Sequence, residues 1–367
     1  MRLSPAVLAL SVLALALPAP DVSAETTRTI RLELPAGDAG HFAVENLAGT
    51  MRVAPGSGSV LVAIATIHAE DDELASAMKF ERVLDKKGVP TLRVRYPLDR
   101  ESSIRYPARG NRDGGILGGL FGGGSNARTE YDGEQVKVSD NRGVLLYADV
   151  EVQVPRQRLA NATFRNHVGP LESHDVDGKI VFDTGSGDVT LARVTGEIKA
   201  DTGSGDVKAS DLEGSFTCDT GSGNCDVTGF KGEKVGCNVG SGDVTIRDVD
   251  AKLVDIDTGS GDVRIIDGDI EAFQADTGSG DVRLENRGAR LTRVTADTGS
   301  GDVTLRLAPE ASFEAMADQG SGDINMGFKD AQAIVRHKEV IGYRRGDARI
   351  KIDVDTGSGD LTIEPGA

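Results

Sequence analysis

Tryptophan is absent from this 367-residue sequence, and Phe, Trp and Tyr together make up only 4% of it. Aromatic side chains supply much of the volume of a thick globular core, so such a core is excluded. Cysteine is almost missing too, with only Cys218, Cys225 and Cys237 present. Their odd number rules out complete internal pairing. They are expected as buried core fillers, with a Cys218 to Cys237 bridge as the open alternative. The only sustained apolar run, Ala6 to Leu17, falls short of the roughly 20 residues that span a bilayer. It follows a lone Arg2 and leads to Pro18, Pro20 and the small-residue end Val22-Ser23-Ala24, so residues 1–24 read as a secretory signal peptide. Positive charge is in deficit as well. A formal net charge of -17 repels nucleic acid and anionic lipid, which excludes nucleic acid as a partner and favours cations or basic surfaces.

What the chain does have is glycine, 47 residues of it, nearly twice the usual share of roughly 7%. Much of it lies in a repeat. Gly-Ser-Gly begins at Gly185, Gly203, Gly221, Gly240, Gly259, Gly278, Gly299, Gly320 and Gly357, at successive intervals of 18, 18, 19, 19, 19, 21, 21 and 37 residues. The last interval reads as two periods around one degenerate copy. A fixed period of this size is the mark of a stacked repeat array. Within one copy, Asp188 to Ala192 reads as a strand, Arg193 to Gly196 as a turn and Glu197 to Ala200 as a second strand before the next glycine corner.

Aligned on the glycines, apolar residues fall into columns. One holds Val189, Val207, Cys225, Val244, Val263, Val282, Val303, Ile324 and Leu361; another holds Phe182, Ala200, Cys218, Cys237, Ile256, Ala275, Ala296, Ala317 and Val354. If each copy closes one coil, like residues stack at the inter-strand spacing and each column becomes a ladder in a narrow core. The expected fold is therefore an all-β, parallel β-helix or β-solenoid of roughly 18–21-residue coils. The domain reading is a signal peptide over 1–24, β-rich leading coils and a cap over 25–107, a Gly-rich flexible insert over 108–130, and the repeat array over 131–367. Inside the cap, Asp71 and Asp72 are placed to start a short helix reaching about Met78, followed by a hairpin through Phe80 to Leu84 and Leu92 to Tyr96.

Asp183-Thr184-Gly185-Ser186 matches the active-site tetrapeptide of aspartic proteases and recurs at Asp201, Asp219, Asp257, Asp276, Asp297 and Asp355. Such a protease brings two aspartates together from two lobes, and a spacing of one coil leaves no room for a lobe. The structural reading is that glycine supplies a tight corner and the flanking aspartates accept hydrogen bonds from its backbone N–H groups. The column Thr184, Thr202, Thr220, Thr258, Thr277, Thr298 and Thr356 is shared with Val239, which points to shape and burial more than to the hydroxyl. Asp188, Asp206, Asp243, Asp262, Asp281, Asp302, Asp323 and Asp360 stack as like charges, each neighbouring pair costing about 0.9 kcal/mol in water before screening. A Ca²⁺ ladder on these eight is the candidate metal site. The register differs from the calcium-roll pattern, because the double glycine is missing and Asp directly follows the second Gly. His167 and His174 lack a Ser, Cys or Glu at a recognisable catalytic spacing and read as surface histidines. Arg345-Gly346-Asp347 reads as a loop, and no catalytic residues are assigned.

The succession Ala43-Val44-Glu45-Asn46-Leu47-Ala48-Gly49, then Ala148 to Pro155, then repeated Thr-Gly-Ser-Gly-Asp-Val resembles an adhesin-like β-strand-repeat family of bacterial exported domains without an assigned function. The resemblance spans nearly the whole mature chain. It implies a β-helical solenoid in the periplasm or on the cell surface of a bacterium, and it does not imply an enzyme. The expectation is an extracytoplasmic, non-catalytic binding or scaffold protein with an unknown cell-surface, polysaccharide or protein partner. The alternatives are a calcium-stabilised structural surface protein and a polysaccharide-acting β-helix enzyme. No cofactor other than Ca²⁺ is expected. The final coil, Asp355 to Glu364, is expected at the end of the array, with the basic segment around Arg336 to Arg349 folded over it as a cap.

Overall fold

The computed structural model describes residues 25–35, 41–107 and 126–366. The expected signal peptide and most of the Gly-rich insert lie outside them. Within them the chain is all-β apart from one short helix. No helix among the described residues is long and apolar enough to cross a membrane.

Each repeat forms one rung of a solenoid-like stack. One segment approaches the Gly-Ser-Gly corner and a second leaves it, and each pairs in parallel with its equivalent in the next repeat. The sequence columns are the cross-strand register itself. Phe182, Ala200, Cys218, Cys237, Ile256, Ala275 and Ala296 are successive partners on the approaching side. Val189, Val207, Cys225, Val244, Val263, Val282 and Val303 are successive partners on the leaving side. Members of both columns are buried, as are Ile198, Phe216, Val235, Val254 and Phe273 two residues upstream of the first column. Fully burying a Val, Ile or Phe side chain contributes about 1.5–3 kcal/mol. The thin core is therefore stabilised by repetition, with single phenylalanines such as Phe182, Phe216 and Phe273 set among the aliphatic ladders.

Two corners close each rung. At the Gly-Ser-Gly corner the second glycine has φ between +144° and +156° in six consecutive rungs, Gly187 to Gly280. A Cβ on Gly205 would lie 2.3 Å from the carbonyl oxygen of Gly187 in the preceding rung, so this position requires glycine both sterically and conformationally. The opposite corner is turned by Asp175, Arg193, Asp211, Asp248 and Asp267, all left-handed with φ of 52–57°. Asp tolerates that region better than most residues; in one rung Gly229 takes the position.

The rungs are not stacked in chain order. Phe42–Ala48 and Met51–Pro55 form a rung paired directly with Leu159–Val168 and Leu171–His174, more than 100 residues later. The residues between build the cap beyond it. Val60–Ala69 runs antiparallel to Thr26–Pro35 and Val144–Val154, and Lys79–Leu84 forms a hairpin with Pro90–Arg95. The helix Asp72–Ala77 starts as the sequence indicates, with the Asp71 carboxylate accepting the Leu74 N–H at 2.8 Å. Asn126–Tyr131, within the span read as insert, is a strand paired with Glu134–Ser139.

The C-terminal end departs from the sequence expectation. The last rung, Ile350–Thr356 and Leu361–Pro365, does not end the stack. It inserts between Arg293–Thr298 and Phe313–Gln319 on one side, and between Val303–Leu307 and Ile324–Met326 on the other. The 37-residue interval is not a degenerate coil either. It holds a hairpin, Gln332–Arg336 with Glu339–Arg345, which pairs antiparallel on Phe313–Gln319 and covers that edge. An exposed strand edge left bare would invite pairing with another chain.

Candidate functional site

The polar residues of the repeat meet at the Gly-Ser-Gly corner, where the threonines face inward and the aspartates and serines lie nearer the surface. The threonines are buried. Thr202 Oγ1 donates to the carbonyl of Gly187 at 3.0 Å, Thr220 to Gly205 at 3.2 Å and Thr277 to Gly261 at 3.2 Å, each acceptor lying in the preceding rung. The hydroxyl is thus used, beyond the role of shape alone, and it is not displayed. Thr356 is the exception and donates within its own rung to Gly359 at 2.9 Å.

The eight aspartates singled out as a calcium ladder are brought into one column, with Asn224 among them. In each but the last, Asp323, Oδ1 accepts the backbone N–H of the same position in the next rung: Asp188 Oδ1 accepts from Asp206, Asp206 Oδ1 from Asn224 and Asn224 Oδ1 from Asp243, at 2.9–3.0 Å. The series continues through Asp262, Asp281, Asp302, Asp360 and Asp323 at 2.8–2.9 Å. These N–H groups sit where the chain turns the corner, and the carboxylates supply their acceptors.

The aspartate that opens each repeat behaves differently. Asp183, Asp201 and Asp219 are in direct register, as are Asp257, Asp276, Asp297 and Asp355. Near the start of the array the column is neutralised: Arg165 holds Asp183 at 2.8 Å, and Lys199 bridges Asp201 and Asp219 at 2.9 and 2.7 Å. Towards the end it is not. Burial, and then the charges of Asp276 and Asp355, push the Asp297 carboxyl above its ordinary value. Beside it Asp318, Asp353 and Asp355 line a cleft of about 460 Å³ with Arg336.

Other motifs resolve into structure. His167 is half-buried between Thr129 Oγ1 at 3.0 Å and Glu45 Oε1 at 2.9 Å. Burial pushes Glu45 up, but hydrogen bonds from His167 and Arg93 outweigh it and hold the carboxyl down at about 2. This network ties the cap to the first rungs. His174 contacts the Asp175 carboxylate, which Arg193 grips at 2.6 and 2.9 Å. The guanidinium of Arg345 stacks over Phe328 at 4.7 Å and pairs with Asp330 at 2.8 Å, so the arginine of the Arg-Gly-Asp tripeptide is anchored while Gly346 and Asp347 are exposed. The seven Asp-Thr-Gly-Ser copies lie along one stack, each a rung apart, and the two-lobed pairing of a protease is not formed among them.

Sequence reasoning passed over Asn46 and Asn166. Both are buried in the threonine column. Asn46 Nδ2 donates to Ala148 O at 2.9 Å and to Asn166 Oδ1 at 3.0 Å, and Asn166 Nδ2 donates to Gly49 O at 2.7 Å. Counting one 18-residue period back from Thr184 reaches Asn166, so the signal was present.

The sequence profile of the Toastrack DUF4097 family matches residues 147–364, more than half of the chain. The chain belongs to the Toastrack DUF4097 family. The match takes in the Gly-Ser-Gly repeats and the inserted last rung, while the rung formed by residues 42–55 lies before it. Solved structures similar to this Toastrack chain include a cell-adhesion candidate from Clostridium sporogenes, at 11% identity over 93% of this chain and 100% of the other, with a TM-score of 0.22. A lipid-binding candidate from Parabacteroides distasonis shows 10% identity over 92% and 96%, with a TM-score of 0.42. An adhesin candidate from the same organism shows 10% identity over 94% and 98%, with a TM-score of 0.37. None of the curated proteins compared with the chain matches it.

Proposed function

We propose that this Toastrack protein is an exported, non-catalytic scaffold, working in the periplasm or on the cell surface of a bacterium. In this reading the array closes as a parallel β-helix of 18–21-residue coils, and residues 1–24 direct export. The observation that carries the proposal is the division of labour between the two aspartate columns. The column after the glycines is consumed by backbone hydrogen bonds. The column before them keeps its carboxylates in register on the outside, with too few cations to neutralise Asp257, Asp276, Asp297 and Asp355. A line of like charges at rung spacing suits a repetitive cationic or hydroxyl-rich partner, such as a polysaccharide or a basic protein surface. Catalysis is not part of this reading, because the buried Glu45 is taken up by the half-buried His167 and Arg93.

The test is binding of the mature chain to a panel of glycans, wall fragments and basic proteins, with Asp276→Asn/Asp297→Asn/Asp355→Asn as the control. Binding that the triple variant loses is expected. No binding across the panel overturns the partner reading.

The calcium-stabilised reading stays as a second proposal because the aspartates after the glycines stack as like charges from rung to rung, a repulsion that a cation would relieve. In the candidate set Asp188, Asp206, Asp243, Asp262, Asp281, Asp302, Asp323 and Asp360, a Ca²⁺ ion would draw on Oδ2 wherever Oδ1 already accepts an N–H.

A further inference from the structure

All three cysteines of the chain meet at one point in the core. Cys218 and Cys237 are cross-strand neighbours on the approaching side, and Cys225 reaches the same point from the leaving side. The three Sγ atoms lie within 4.8 Å of one another, and all three residues are buried as free thiols. Cys225 Sγ lies 3.3 Å from Cys237 Sγ. Cys225 leaves the Gly221 corner and Cys237 approaches the Gly240 corner of the next rung, with the turn at Gly229 between them. In the flanking rungs the same two columns hold only apolar residues, Val207 and Val244 in one, Ala200 and Ile256 in the other. The bridge suggested by sequence, Cys218 to Cys237, would instead join register partners along one column.

We infer that Cys225 and Cys237 form a disulfide that staples two successive rungs across the core, leaving Cys218 as a thiol. The oxidant is a small-molecule or protein disulfide. The two cysteine S–H bonds break and one S–S bond forms; two protons and two electrons pass to the oxidant, whose own disulfide becomes two thiols. Hydrogen bonds from the Cys218 and Cys225 thiols lower the Cys237 thiol relative to its neighbours, which favours Cys237 as the thiolate that attacks. Because the pair is buried, the bond forms on the folding chain, before the rung closes. Once formed it is shielded from reductant by the same burial. The step needs only the oxidant, so it is tested in vitro independently of where the protein works.

The full chain is unfolded, refolded with oxidised and reduced glutathione, alkylated in denaturant and weighed intact. The expected result is one alkylated cysteine and a melting temperature that falls when a reductant is present during refolding. Cys218→Ala keeps the link, whereas Cys225→Val and Cys237→Ala abolish it and leave every remaining cysteine alkylated. Neighbouring rungs carry those replacement residues at the same positions, so the variants are compatible with folding. Three alkylated cysteines after oxidative refolding, a link that includes Cys218, or a soft metal ion held by all three sulfurs would each overturn the inference.

Discussion

Asn224 stands in a column of aspartates and does what they do: its Oδ1 accepts the Asp243 N–H at 2.9 Å, while its own N–H is taken by Asp206 Oδ1 at 3.0 Å. An amide oxygen and a carboxylate oxygen are interchangeable as acceptors. Only the carboxylate carries charge, so the column is selected here for acceptance. Asp243→Asn is expected to leave stability within about 0.5 kcal/mol of the parent, and Asp243→Ala to cost about 1 kcal/mol by orphaning the Asp262 N–H. Denaturant midpoints of the two variants measure the difference, and equal losses would contradict it.

The glycine corner gives a steeper contrast. Gly205→Ala drives a Cβ against the Gly187 carbonyl at 2.3 Å from a backbone at φ +144°, whereas Gly133 at φ +82° has open space around it. The first substitution is expected to cost at least about 3 kcal/mol and the second about 1 kcal/mol. Thermal unfolding of both variants reads the difference.

Acid should loosen the cap first. Glu45 is held at about 2 in the folded chain against an ordinary value of 4.5. A carboxylate with a lowered folded pKa contributes stability that is complete above its unfolded value and disappears as pH falls towards its folded value. The window is therefore about pH 5 to 2, and the contribution is about 3 kcal/mol. Asp297, raised when folded, has the opposite sign, and its contribution declines as pH rises through its shifted value. Unfolding free energy against pH should fall on the acid side in the parent, and the slope should flatten in Glu45→Gln. An unchanged acid slope would rule out Glu45 as its source.

The columns were legible because a repeat writes its register into the sequence: a residue and its partner one period on, such as Val207 and Cys225, are cross-strand neighbours. The capping helix was legible for a local reason, the Asp71 cap. The order of the rungs was not. Nothing in the spacing of Gly299, Gly320 and Gly357 says that the last repeat lies between the other two, because that depends on the 332–345 hairpin returning the chain by one rung. The cross-core cysteine pair was hidden for a related reason. Periodicity shows neighbours along a column, whereas Cys225 and Cys237 meet across the core. The Glu45, Arg93 and His167 network joins three segments far apart in sequence and carries no periodic signal.

The central claim is that the aspartate column following the glycines is a hydrogen-bond ladder, complete without metal. Thermal unfolding of the mature chain in excess Ca²⁺, in chelator and in Mg²⁺ tests it most directly, because any ion bound to the native state must raise its stability. The account predicts the same midpoint in all three. A rise of several degrees specific to Ca²⁺ would contradict it and make Asp188 to Asp360 a row of metal ligands.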